Sequence, residues 1–352
     1  MLYAFGSNGS GQLGLGHLED VSNPSTVPLP CPSEPDGLIK VVAGGNHTLL
    51  LFSNGAIFAS GANPDGRCAT SSKQYQHRIF CRSDALSHGE STNPSFILCA
   101  ATWEASVLID DNNNVYTCGT GNRGELGQGS GITSSSRPEI LADFPPRGTR
   151  VTDLAASMGH VVAVISDGSV WGWGLGRKGQ LGQPGVDRWT PHKIEGIPFH
   201  AMRAVCGKDF TFVAGAARDG RCQTLGLDKW NVISASPKTV AGWKDIDASW
   251  GTVYVVLETG GLLAWGRNDH HQVPSTSGPS INQVAAGSEH LLAVTTDAKS
   301  CIACGWGEHG NCGILQNCDN DAPVGGNEIK IDGKITNIGA GCATSWITTR
   351  SD

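Results

Sequence analysis

Twelve cysteines, eleven histidines and several G-x-G-x-x-G strings are the features of this 352-residue chain that could do chemistry. The cysteines are Cys31, Cys68, Cys81, Cys99, Cys118, Cys206, Cys222, Cys301, Cys304, Cys312, Cys318 and Cys342. Only Cys301 and Cys304 form a C-x-x-C, and no second pair follows at zinc-finger spacing. On a strand, period-2 alternation sends those two thiols to opposite faces, where a shared metal is awkward. Reduced, structural cysteines are expected, with no metal and no cofactor.

Three of the G-x-G-x-x-G strings, Gly119 to Gly124, Gly174 to Gly179 and Gly305 to Gly310, share one repeat phase. A dinucleotide site needs such a string to open a helix, so that phosphate sits on its N-terminus. Here turn residues follow all three strings. The chain also lacks a P-loop lysine motif, an H-E-x-x-H and a G-x-S-x-G. His47, His160 and His290 fall at one repeated position, which points to a structural hydrogen bond. No coherent acid–base set appears, so no catalytic residue is assigned and the chain is read as non-enzymatic.

The elements that carry these residues repeat. Tyr3-Ala4-Phe5-Gly6 through Gln12-Leu13-Gly14 returns at Tyr116 to Gly127 and at Gly172 to Gly182, with weaker copies elsewhere. The glycine ending the strand recurs as Gly6, Gly61, Gly119, Gly174, Gly226, Gly266 and Gly305, at spacings of 55, 58, 55, 52, 40 and 39 residues. A second half-unit interleaves, as in Val42-Ala43-Gly44-Gly45-Asn46-His47 before Thr48 to Phe52 and Asn54-Gly55. Asn-Gly and Asp-Gly between short apolar runs predict hairpins with type I′ turns. Seven such units describe an all-β, seven-bladed β-propeller, one domain over residues 1–352. The chain opens on the second half-unit and closes on the first, so the last blade should combine strands from both termini and remove the free edge.

Composition agrees. Glycine supplies 48 of 352 residues, about twice the usual share. Only 16% of residues are charged, and the net charge is −7. No run of Lys or Arg exceeds two, so direct nucleic-acid binding is disfavoured. No apolar run is long enough to span a bilayer, and no secretory leader is evident. A cytoplasmic location is expected, with a nuclear pool left open. The stretches 65–93 and 315–331 fit no repeat.

The segments Phe5 to Gly9, Gln12 to Gly16 and Gly44 to Thr48 resemble the regulator-of-chromosome-condensation family of seven-bladed propellers, over essentially the whole chain. Gly305 to Gly313, Gly341 to Trp346, Gly207 to Phe210, and Gly14 to His17 with Glu19-Asp20 more narrowly resemble its fungal alpha-tubulin-suppressor, or killer-toxin-insensitivity, branch. That narrower resemblance implies a heterodimer with a small CSL-type zinc- or iron-binding diphthamide-biosynthesis protein. Through it, the resemblance implies support of diphthamide formation and of Elongator-dependent tRNA wobble-uridine modification.

On this reading a scaffold propeller binds its partner through rim loops at Trp103, Lys208, Asp209, Phe210, Trp250, Glu308 and His309. Trp103 and Trp250 share the repeat position that elsewhere holds Gly45, Met158, Lys208, Ser288 and Cys342. They are either interface anchors or fillers of a wide blade gap. His309, beside Glu308 in a turn, fits a partner contact, and Lys208 would meet an acidic residue. Trp173, Trp265, Phe5 and Cys118 are expected in the core. The alternative is a guanine-nucleotide exchange factor for a Ran-type small GTPase, the wider family's activity. That activity goes with a basic N-terminal arm, whereas this chain is acidic and starts directly in a strand.

Overall fold

The computed structural model describes residues 1–29, 37–84, 94–275, 278–316 and 320–350. Among these, 26 strands, numbered β1 to β26 along the chain, form seven antiparallel sheets. Each sheet is a blade. The inner strands are β3 (Leu38–Ala43), β7 (Phe96–Ala101), β11 (Val151–Ala156), β15 (Arg203–Cys206), β18 (Trp243–Ala248), β21 (Ile281–Ala286) and β25 (Lys334–Gly341), opening blades 1 to 7 in that order. They pack side by side around a central channel, with β25 returning against β3.

Blade 7 closes the ring as expected. Its order is β2 (Val21–Thr26), β1 (Leu2–Gly6), β26 (Thr344–Arg350), β25, and β1 pairs with β26 from Leu2↔Thr348 to Gly6↔Thr344. Burial follows position in the blade. The second strands β4 (His47–Phe52), β8 (Ala105–Asp110), β12 (His160–Ile165) and β22 (His290–Thr295) are buried at every residue, because neighbouring blades cover both faces. Their sequences are accordingly continuous apolar runs, not alternating ones. The outer strands β2, β10 (Ser134–Ile140) and β14 (Arg188–Lys193) are polar and carry Pro24, Pro138 and Pro191. Proline has no amide hydrogen to offer, so it blunts these free edges.

One backbone feature explains the repeating glycine. All seven, from Gly6 to Gly305, have φ between +97° and +124°, and a Cβ at each would lie 2.2–2.4 Å from a carbonyl oxygen of the loop between the first two strands of its blade. The next residue donates its N–H to that same oxygen, as in Leu175 to Gly159 (2.7 Å) and Leu227 to Asp209 (2.9 Å). The glycine thus lets the inner and outer loops of one face touch. The hairpins stand where expected, but their turn type differs. Gly55 and Gly168 have positive φ while Asn54 and Asp167 do not. The Gly55 N–H to Phe52 O and Phe52 N–H to Ala56 O bonds describe a type I turn with a G1 bulge, which needs only the glycine left-handed.

The three repeat histidines join blades. His47, His160 and His290 bond through Nε2 to Ser106 Oγ (3.0 Å), Thr211 Oγ1 (3.0 Å) and Ser345 Oγ (2.9 Å) of the next blade. Each hydroxyl donates its own hydrogen to a carbonyl, of Arg67 (2.6 Å), Gln180 (2.8 Å) and Asn311 (2.8 Å). The hydroxyl can therefore only accept from the imidazole, so Nε2 carries the proton and Nδ1 is bare. Among the described residues, all three Nδ1 atoms are buried without a partner. Desolvation lowers the pKa to about 3 for His47 and about 4 for His160 and His290, which keeps the rings neutral.

Trp173, Trp265, Phe5 and Cys118 are core residues. Cys301 and Cys304, on β23 (Cys301–Gly305), enter different clusters, one against blade 7 and one against blade 5. Burial pushes each thiol up to about 12. Cys31, Cys318, and parts of the 65–93 and 315–331 stretches lie outside the described residues.

Candidate functional site

The loops between the first and second strands all emerge on one face and form a ring around the channel mouth. The ring is held by blade-to-blade backbone bonds: Gly45 N–H to Trp103 O (2.9 Å), Trp103 to Met158 (3.0 Å), Lys208 to Trp250 (3.0 Å), Trp250 to Ser288 (2.9 Å) and Ser288 to Gly341 (3.0 Å). The shared repeat position is thus the rim of the mouth. Trp103 and Trp250 come from blades 2 and 5, and their rings meet across it with centroids 5.8 Å apart. They are half-buried, each ring packed against the other. Gly45 makes this possible, since a Cβ there would lie 2.7 Å from the Trp103 ring.

Behind the indoles lies a cavity of about 190 Å³ lined by Lys40, Arg203 and Asp247 among inner-strand residues. Arg203 donates to Asp153 (2.9 Å) and to the Ile246 carbonyl (3.1 Å). Asp247 accepts from Ala286 N (2.8 Å) and Ala248 N (2.8 Å), and burial raises it to about 6 despite those bonds. These carboxylates staple adjacent inner strands. Among the described residues no group of three or more His, Cys, Asp or Glu side chains could hold a metal.

Lys208 stands beside the indole pair, its Nζ 5.1 Å from the Trp250 ring. Trp103, Trp250, Lys208 and Asp209 are therefore brought together. Phe210 is not a surface contact. It begins β16 (Phe210–Ala214), is 2% exposed and packs in the core of blades 4 and 5. Glu308 and His309 share the face but lie in blade 6, on the loop after β23. His309 Nδ1 is bonded to Asp20 of blade 7 (2.9 Å), and its ring lies 6.2 Å from Trp306.

Sequence reasoning missed Lys229, Trp230, Arg267 and Glu289, which line a groove with Lys208 and Trp250. The available signal was an indole in a polar turn, Asp228-Lys229-Trp230-Asn231, in one of the two most degenerate repeats.

Comparison with known proteins places these features. Residues 1–347 match the profile of the RCC1-like domain. An RCC1 repeat-containing protein of Schizosaccharomyces pombe is 34% identical over 365 positions, covering 99% of this chain and 98% of that one. The mouse secretion-regulating guanine nucleotide exchange factor is 27% identical, over 89% of this chain and 75% of its own. Among solved structures, Prp20p of Saccharomyces cerevisiae, described with its binding to Gsp1p and histones, superposes with a TM-score of 0.85 at 21% identity, over 100% of this chain and 92% of that one. Yeast RCC1 (Prp20) bound to Kap60 gives 0.83 at 19% identity, over 100% and 89%. At those identities the superpositions show the fold alone.

These findings correct the narrower resemblance. The chain groups with RCC1-repeat and exchange-factor propellers, not with the alpha-tubulin-suppressor branch. The CSL-type partner and the diphthamide, Elongator and wobble-uridine roles are withdrawn with it. Much of what the segments that suggested the branch share is fold-determining. Gly305 and Gly310 are left-handed turn residues, Cys312, Trp346 and Phe210 are core, and Gly207 makes room for the Phe210 ring. Those glycines and core residues report how a blade closes and carry no information about its partner.

Proposed function

The chain belongs to the RCC1-like domain family, and on that basis we propose that it is a guanine-nucleotide exchange factor for a Ran-type small GTPase. The observation that carries this is the convergence, at one channel mouth, of the half-buried Trp103–Trp250 pair with Lys208. Aromatic anchors beside a cation at the centre of a face are the usual composition of a protein–protein hot spot. The exchange-factor relative, matched over 89% of the chain, supplies the class of partner, and the Gsp1p binding described for Prp20p points the same way. The acting unit is the whole chain, residues 1–352. The net charge of −7 does not oppose this, because a basic arm serves nucleic acid and the GTPase meets a local surface.

The protein is not an enzyme in the bond-making sense, and exchange requires no covalent step. It requires that the propeller bind the nucleotide-free GTPase more tightly than the nucleotide-bound form. By linkage, nucleotide must then weaken the propeller's grip by the same factor. A nuclear pool beside a cytoplasmic one accords with this reading.

A nucleotide-stripped Ran-type GTPase is expected to co-elute with the protein in size-exclusion chromatography, and added GDP should separate them. Absence of co-elution would end the proposal. Trp250→Ala should weaken the complex by about 2 kcal/mol or more, measured by titration calorimetry. Its circular dichroism should be unchanged, since Trp250 lies at the surface of the ring.

A further inference from the structure

Beside the indole pair, on the same face, a groove of about 150 Å³ lies between the inner and outer loops of blades 4 and 5. Its walls are the indoles of Trp250 and Trp230, and three cations stand over them. Lys208 Nζ is 5.1 Å from the Trp250 ring, Lys229 Nζ is 5.3 Å from the Trp230 ring, and the Arg267 guanidinium is 5.2 Å from Trp230.

The three cations differ in their partners. Arg267 is neutralised by Asp269 (2.6 Å) and by Glu289. Among the described residues, neither Lys208 nor Lys229 has a carboxylate within 4.0 Å. An ammonium resting on an indole face is held in place while its donors stay open.

Trp230 sits in an unusual backbone conformation. It takes φ 63°, ψ 21°, and Asn231 follows at φ 59°. This left-handed backbone is strained for a bulky residue and persists where the fold has a use for it. What the strain achieves here is an indole that is 42% exposed at the groove edge.

We propose that this groove takes an acidic segment of a protein partner, one carboxylate meeting Lys208 and a second meeting Lys229, with the chain between them lying over Trp230. The identification of that partner as the GTPase rests on the exchange-factor reading, whereas the chemistry of the groove does not. Two open ammonium groups a groove's width apart suit two carboxylates. A nucleic acid fits less well, because two open ammonium groups neutralise only two phosphates of a continuous chain.

The test uses the full chain and fluorescein-labelled hexaglutamate, followed by anisotropy at low salt, with oligothymidylate of equal charge as comparison. Hexaglutamate is expected to bind. The double variant K208E/K229E should weaken it at least about tenfold. Trp230→Gly should weaken it too while keeping the wild-type melting curve, because glycine adopts φ 63° without strain. Three results would overturn the proposal: no peptide binding, equal binding by K208E/K229E, or oligothymidylate binding as tight as the peptide. The two readings fail separately. Peptide binding as expected with no binding of nucleotide-free GTPase removes the exchange-factor reading and leaves the groove. Equal GTPase binding by wild type and K208E/K229E removes the groove as the GTPase's docking site and leaves the exchange-factor reading.

Discussion

Between pH 7 and pH 5 the protein is expected to lose about 5 kcal/mol of folding stability. The cause is the three buried histidines that clamp one blade to the next. Folded, their rings are neutral, with pKa values of about 3 for His47 and about 4 for His160 and His290, against 6.5 when unfolded. As pH falls below 6.5 the unfolded chain takes up protons that the folded chain refuses, and stability falls with it. At pH 5 each histidine costs about 2 kcal/mol. Asp247 works in the opposite direction. Its pKa, raised from 3.8 to about 6, lets the folded chain bind a proton first, which offsets about 1 kcal/mol.

The remaining loss is a large part of the roughly 5–15 kcal/mol that holds a typical domain together. Urea midpoints followed by tryptophan fluorescence should therefore drop steeply between pH 7 and pH 5. The triple variant H47Q/H160Q/H290Q keeps an N–H donor at each clamp but cannot titrate. It should start lower at pH 7 and then stay nearly flat. A wild-type slope in that variant would show that the acid sensitivity lies elsewhere.

Gly174→Ala should cost about 3–5 kcal/mol, from left-handed strain together with a broken backbone bond. The new Cβ would sit 2.4 Å from the Gly159 carbonyl oxygen at a backbone φ of +97°. That oxygen accepts the Leu175 N–H, so relieving the clash opens the contact between inner and outer loops of blade 3. Gly148→Ala is the matched control. It also has positive φ, at +79°, but nothing lies within 4 Å of its Cβ. Its cost should be about 1 kcal/mol, from strain alone. Equal losses for the two variants by chemical denaturation would mean that the loop contact contributes nothing.

The propeller was legible because the features that build a blade are local and repeated. Gly174 and its six equivalents each meet a loop carbonyl, and the half-units at the two ends are out of phase by one strand pair. Those constraints act within one blade or between neighbours, so they leave a period in the sequence. The type I′ expectation at Asn54-Gly55 failed because a G1-bulged turn uses the same dipeptide and demands positive φ of the glycine alone.

The face was legible only in part. Aligning repeats put Trp103 and Trp250 at one position, but their contact joins blades 2 and 5 across the ring, and no repeat-by-repeat comparison can show it. Phe210 was misplaced because it begins a strand directly after a loop, where one residue of register separates rim from core. Trp230 was missed because its turn departs from the repeat. The partner branch was misread for a related reason: the segments compared were those that fold the blade, which all members need.

Exchange activity is read directly from the release of fluorescent GDP by a Ran-type GTPase. Adding the wild-type protein is expected to speed release in a saturable manner, and Trp250→Ala to lose most of this acceleration while remaining folded. Release at the intrinsic rate, at protein concentrations that saturate binding to the nucleotide-free GTPase, would contradict the exchange-factor reading.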